Sequence, residues 1–163
     1  MKNITLFLAF IGMMTLQSCE VTEVYEEGPR TEVFEVTTSF SSVNNYSRII
    51  DFDTPIGSFD SVLVYHLFDV VNGDDIWRLM PQTYYLSNGR ELDYNFDYTR
   101  FNVNVFLTAN FSLNTLTPDW TQSQTFKIVV IPDGFAKTVN KNDVNAVMSA
   151  LKVQQGDVKK INL

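Results

Sequence analysis

Leu92-Asp93-Tyr94-Asn95-Phe96-Asp97-Tyr98-Thr99 is followed almost at once by Phe101-Asn102-Val103-Asn104-Val105, and the pair decides the fold class. Leu92, Tyr94, Phe96 and Tyr98 alternate with Asp93, Asn95, Asp97 and Thr99. Phe101, Val103, Val105 and Leu107 alternate in the same way with Asn102, Asn104 and Thr108. A period of two places alternate side chains on opposite faces of a sheet, so both segments read as half-buried antiparallel strands.

The pattern extends outward in both directions. Phe34, Val36, Thr38 and Phe40 face one way while Glu35, Thr37 and Ser39 face the other. Val62 to Val71 and Phe126 to Ile131 are apolar on both faces, as suits central strands covered on both sides. Asn72-Gly73 and Asn88-Gly89 each sit between apolar runs, and both predict tight two-residue hairpin turns. Further breaks fall at Thr54 to Gly57, at Asn114 to Asp119 and at Pro132-Asp133-Gly134. About seven strands, with 13 Phe and 7 Tyr to fill the space between sheets, predict an all-β antiparallel sandwich over residues 33–163, a barrel being the alternative. Near the end, Asn142 or Asp143 can cap a short C-terminal helix whose Val144, Val147, Met148 and Leu151 form one apolar stripe. The terminal Lys159 to Leu163 reads as an added edge strand.

The amino terminus has a different character. Lys2 precedes an apolar run from Ile4 to Leu16 that is free of charge. As a helix this run spans roughly 20 Å, short of a hydrocarbon core of about 30 Å, so it reads as a secretory signal. It leads into Leu16-Gln17-Ser18-Cys19, which resembles the lipobox of bacterial lipoproteins. That resemblance implies cleavage between Ser18 and Cys19, a diacylglycerol thioether on the Cys19 sulfur and acylation of the new amino group. Two or more acyl chains anchor a protein stably, so Cys19 is expected to hold the chain to a membrane. Residues 19–32 then form a tether in which Glu20, Glu23, Glu26 and Glu27 precede Gly28-Pro29. Acidic residues just after the lipidated Cys are similar to the surface-export signal of Bacteroidota lipoproteins. They favour the cell surface over the inner face of the outer membrane.

Composition removes several classes of function. The chain of 163 residues has 12 Lys and Arg against 19 Asp and Glu, a formal net charge of -7 that becomes -8 once the segment bearing Lys2 is cleaved. Nucleic acid demands clustered cations and is not an expected partner. One Cys excludes an internal disulfide, a thiolate zinc cluster or an iron-sulfur centre, and one His excludes a site built on two imidazoles. No G-x-S-x-G elbow is present. His66, beside Tyr65 and Phe68, reads as a core or interface residue with one hydrogen bond.

Asp93-x-Asn95-x-Asp97 imitates the start of a calcium loop, yet Tyr98 stands where the turn needs Gly and Asn104 where the loop needs Glu. These residues are better read as the wet face of a strand. Asp51, Asp53, Asp74 and Asp75 are the acidic set that loops could gather round a calcium ion. Trp77, Trp120, Tyr84, Tyr85, Tyr94 and Tyr98 are the aromatic residues that could stack on a sugar ring, and of these Trp77, Tyr94 and Tyr98 are expected in the core. Trp120, after Thr117-Pro118-Asp119, is expected in an exposed loop as a ligand contact.

Asp75 to Tyr85, Leu92 to Thr99 and Asn102 to Leu107, together with Val33 to Thr37 and Trp120 to Pro132, resemble a family of small lipoproteins of flavobacteria and their relatives. Some members resembling this chain carry a collagen-like tether after the lipidated Cys, of which only Gly28-Pro29 is matched here. The resemblance implies a location and a fold, and carries no catalytic residues. The sequence thus points to a non-catalytic, lipid-anchored outer-membrane or cell-surface module, with no cofactor beyond its covalent lipid and an envelope protein as partner. The alternative is a glycan-binding accessory lipoprotein using Trp120.

Overall fold

The computed structural model describes residues 31–135 and 137–163. Ser18, Cys19 and the tether up to Arg30 therefore lie outside the described residues.

The strands are β1 (Val33–Thr38), β2 (Ser47–Asp51), β3 (Ser61–Val71), β4 (Asp74–Leu79), β5 (Gln82–Tyr85), β6 (Glu91–Tyr98), β7 (Asn102–Ala109), β8 (Gln124–Ile131) and β9 (Lys159–Asn162), with one helix, α1 (Val144–Ala150), before the last strand. They form a five-stranded sheet in the order β4-β3-β8-β1-β9 and a four-stranded sheet in the order β2-β7-β6-β5. Every pairing is antiparallel except that of β1 with β9, which is parallel. The all-β sandwich is as the alternation predicts. Nine strands form where about seven are predicted, and the terminal β9 is the edge strand read from Lys159 to Leu163.

The main core lies between the sheets. Phe34, Val36 and Phe40 meet Leu92, Tyr94, Val103 and Val105 there, all essentially without solvent exposure. A second core covers the outer face of the five-stranded sheet. Val33, Tyr65, Val129 and Ile131 are roofed by Val144 and Val147 of α1, with Met148 and Leu151 at its margin. The Asp143 carboxylate caps this helix by accepting from the N–H groups of Asn145 and Ala146, at 2.9 and 3.1 Å. The tail helix therefore docks on a sheet face.

Two turns behave differently although both contain Asn-Gly. At Asn72-Gly73 both residues have positive φ, 55° and 91°, and Val71 faces Asp74 across a two-residue hairpin. At Asn88-Gly89 the predicted two-residue turn is a three-residue one, Ser87 to Gly89, closed by the Leu86 N–H donating to the Arg90 carbonyl at 2.8 Å. Register explains the difference. Tyr84 pairs with Leu92, so two inward side chains oppose each other, whereas a two-residue turn would set Tyr84 against the outward Asp93.

The apolar run of β3 is also only partly covered. Its pairing with β8 ends at His66 and Phe126, and a bulge follows between Leu67 and Asp69. Beyond that point the β3–β4 hairpin leaves the sheet as a two-stranded arm, with Phe68, Val70, Val71 and Ile76 exposed. These residues were expected to be covered on both faces, but β8 has parted from them.

The register also separates the two ends of the sandwich. Val33, Val129 and Leu63 lie side by side where the chain enters. Val71 lies eight residues further along β3, roughly 25 Å away at about 3.4 Å per residue. The β6–β7 turn and the loop 52–60 belong to the entry end, since Phe52 packs on Phe34 at 6.0 Å and the Phe52 N–H donates to the Phe101 carbonyl. The arm and the segments 39–46, 86–90 and 110–123 gather at the opposite end.

Candidate functional site

Where β3 and β8 part, they leave an open cleft of about 350 Å³ lined by His66, Phe68, Asp119, Trp120, Ser123 and Gln124 among others. Its floor is a buried polar network. His66 Nδ1 lies 2.9 Å from the Tyr84 hydroxyl and Nε2 lies 2.9 Å from Gln124 Oε1. The imidazole is sandwiched between Tyr94 at 4.3 Å and Phe126 at 5.1 Å. Burial, with the Arg78 cation nearby, lowers its pKa to about 4 against the pull of the Gln124 hydrogen bond. His66 is thus a core residue as expected, but with two hydrogen bonds rather than one. Both ring nitrogens are engaged by protein partners, and the imidazole is only 3% exposed.

The loop that walls the cleft is tied to this network. Tyr94 donates its hydroxyl to the Trp120 carbonyl at 2.5 Å, and the Gln124 amide donates to the carbonyls of Asp119 and Gln122 at 3.0 and 2.7 Å. Trp120 ends a short turn, Pro118–Trp120, in the predicted loop. It is not fully exposed as predicted: the indole is half-buried, 5.2 Å from Tyr84 and packed on the inter-sheet core. The rest of the indole separates the cleft from a smaller depression of about 210 Å³ beside Leu86, Arg90 and Thr115. Opposite it, Phe68 carries the Arg78 guanidinium 3.3 Å above its ring.

The remaining aromatic candidates do not form one platform. Tyr84 and Tyr94 are core residues, and Tyr85 is exposed on the edge strand β5. Trp77 is half-buried on the outer sheet face, with Lys127 Nζ 4.1 Å over its ring. Tyr98, expected in the core, is 41% exposed because β6 runs past the sandwich mouth at the entry end.

The acidic candidates are divided too. Asp51 and Asp53 lie at the entry end, Asp53 bonded to Lys159, while Asp74 and Asp75 lie on the arm at the other end. These four carboxylates therefore cannot converge on one ion, and among the described residues no group of three or more His, Cys, Asp or Glu could hold a metal. Asp93 and Asn95 form a wet strand face as predicted, Asp93 accepting from Thr83 at 2.6 Å and Asn95 donating to Thr108 at 3.0 Å.

The partners of His66 were not legible beforehand. Tyr84 is 18 residues away and Gln124 is 58, and only the register brings them together. A lone His amid apolar neighbours signals that a partner exists, without saying which. Comparison with protein-family models, with curated proteins and with solved structures finds no match to this chain.

Proposed function

We propose that this chain is a lipid-anchored outer-membrane lipoprotein, displayed at the cell surface, whose sandwich is a non-catalytic interaction module of an envelope complex. One observation carries the reading. The chain enters from the Cys19 side at one end of the sandwich, and the cleft and the exposed β3–β4 arm lie at the other. An anchor at the entry end turns the arm, with Val70, Val71 and Ile76, toward a partner. Tethering raises the local concentration of such a partner, so a modest contact suffices.

The test is photocrosslinking in cells, with a photoreactive residue at Val71 or Tyr85 and, as control, at Phe59 of the entry end. A discrete protein adduct from Val71 or Tyr85 and not from Phe59 supports the reading. Adducts to the same protein from Phe59 alone would reverse the orientation and contradict it.

Glycan binding is the second reading, favoured by the half-exposed indole of Trp120 beside the carboxylate of Asp119 and the hydroxyl of Ser123 in the cleft. Asp119 is exposed and the Gln124 amide holds it by its main-chain carbonyl, which Asp119→Ala leaves in place, so this variant tests the reading without breaking that bond. Retardation in polysaccharide gels that is lost in this variant supports it, and unchanged mobility of the native protein in all such gels removes it.

A further inference from the structure

The entry end carries its own exposed aromatic surface. Phe59 is 79% exposed at the tip of the turn Gly57 to Asp60, and Phe101 is 61% exposed in the β6–β7 turn. The two loops are joined: the Ile56 N–H donates to the Arg100 carbonyl at 2.8 Å, and Arg100 Nε donates back to the Ile56 carbonyl at 2.9 Å. Tyr98 stands beside them at the end of β6. Three rings and one exposed guanidinium thus share the end at which the chain enters.

Resting on the lipid-anchor reading, we infer that this end seats on the bilayer surface, with Phe59 and Phe101 in the interfacial layer and Arg100 at the phosphates. Residues 19–31 can span at most about 45 Å fully extended, so an anchored Cys19 keeps the entry end within reach of the lipid. Aromatic rings favour the membrane interface, and a cation beside them adds attraction to phosphate.

Charge separates this surface from the other apolar one. On the arm, Val70, Val71 and Ile76 are interleaved with Asp69, Asp74 and Asp75, and lipid contact there would bury carboxylates. At the entry end, Asp51 and Asp97 belong to the outward face of the four-stranded sheet and point sideways by strand alternation. Asp60 is half-buried and accepts from the N–H groups of Gly57 and Asp133, while the exposed Asp133 carboxylate stands in the neighbouring turn, at the rim of this end. Asp53 is held by Lys159. Two aromatic loops on a tethered end also restrict tilting, so the seat would hold the arm pointed away from the membrane.

The test uses the full lipoprotein, purified from membranes and reconstituted into phosphatidylcholine vesicles with and without brominated acyl chains. Cys19 has no free thiol once lipidated, so Ser58→Cys gives a unique site for an environment-sensitive fluorophore next to an intact Phe59, and Val71→Cys gives the control on the arm. Strong quenching of the label at position 58, little at 71, and loss of the first on adding Phe59→Ser and Phe101→Ser are expected. Flotation with the vesicles but no quenching at 58 would overturn the seat and leave the anchor standing. Failure to float would overturn both.

Discussion

The Nε2 atom of His66 faces Oε1 of Gln124 at 2.9 Å, and that oxygen can only accept because the amide nitrogen of Gln124 is committed to two carbonyls. The imidazole therefore carries a proton on Nε2, and because burial lowers its pKa it is neutral, so that Nδ1 accepts from the Tyr84 hydroxyl. Because His66 is the sole histidine, its ring resonance in an NMR titration is unambiguous. It should remain unprotonated from pH 7.5 down to 5, and a midpoint near 6.5 would contradict the buried network.

The same depressed pKa sets a pH dependence of stability. Below pH 6.5 the unfolded chain takes up a proton that the folded chain refuses until about pH 4. The contribution of His66 is thus whole above pH 6.5 and is lost as pH falls through that window, up to about 3 kcal/mol. Urea midpoints should fall between pH 7 and 4.5 in the native chain, and the fall should be smaller in His66→Phe.

Tyr94→Phe removes the hydroxyl that holds the Trp120 carbonyl. A buried carbonyl left without its donor costs about 1 to 3 kcal/mol. Denaturant unfolding should show that loss, and hydrogen exchange should quicken in the segment 110–123 with little change in β1.

These partnerships show what the sequence could and could not say. The alternation in β1, β6 and β7 gives the sheet faces directly, because each strand turns one side to the inter-sheet core, and Asn72-Gly73 gives its hairpin because the turn chemistry is local. The arm could not be read: Phe68 to Val71 look like a central strand, and their exposure depends on where β8 stops pairing. Likewise Trp120 sits in the predicted loop, but its burial comes from Tyr84 and Tyr94 on another sheet. The two ends of the molecule emerge only from the register of β1, β3 and β8.

Lys127 is a charged residue within the sheet, 6% exposed, with Nζ 3.6 Å from Glu35 and 4.1 Å from the Trp77 ring. Lys160 also reaches Glu35, at 3.4 Å, so Glu35 keeps a partner when Lys127 is removed. Lys127→Ala should cost about 2 kcal/mol through lost packing and a weakened pair, whereas Lys127→Met, which keeps the stem, should cost under about 1 kcal/mol. Thermal unfolding of the two variants side by side checks the order.

Both the proposed function and the membrane seat depend on lipid at Cys19. Protein purified from membranes should give an intact mass for a chain beginning at Cys19 and carrying a diacylglycerol and one further acyl group, and Cys19→Ala should abolish incorporation of a fatty-acid probe. A mature chain that begins elsewhere, or that begins at Cys19 with a free thiol and no lipid, would contradict the account.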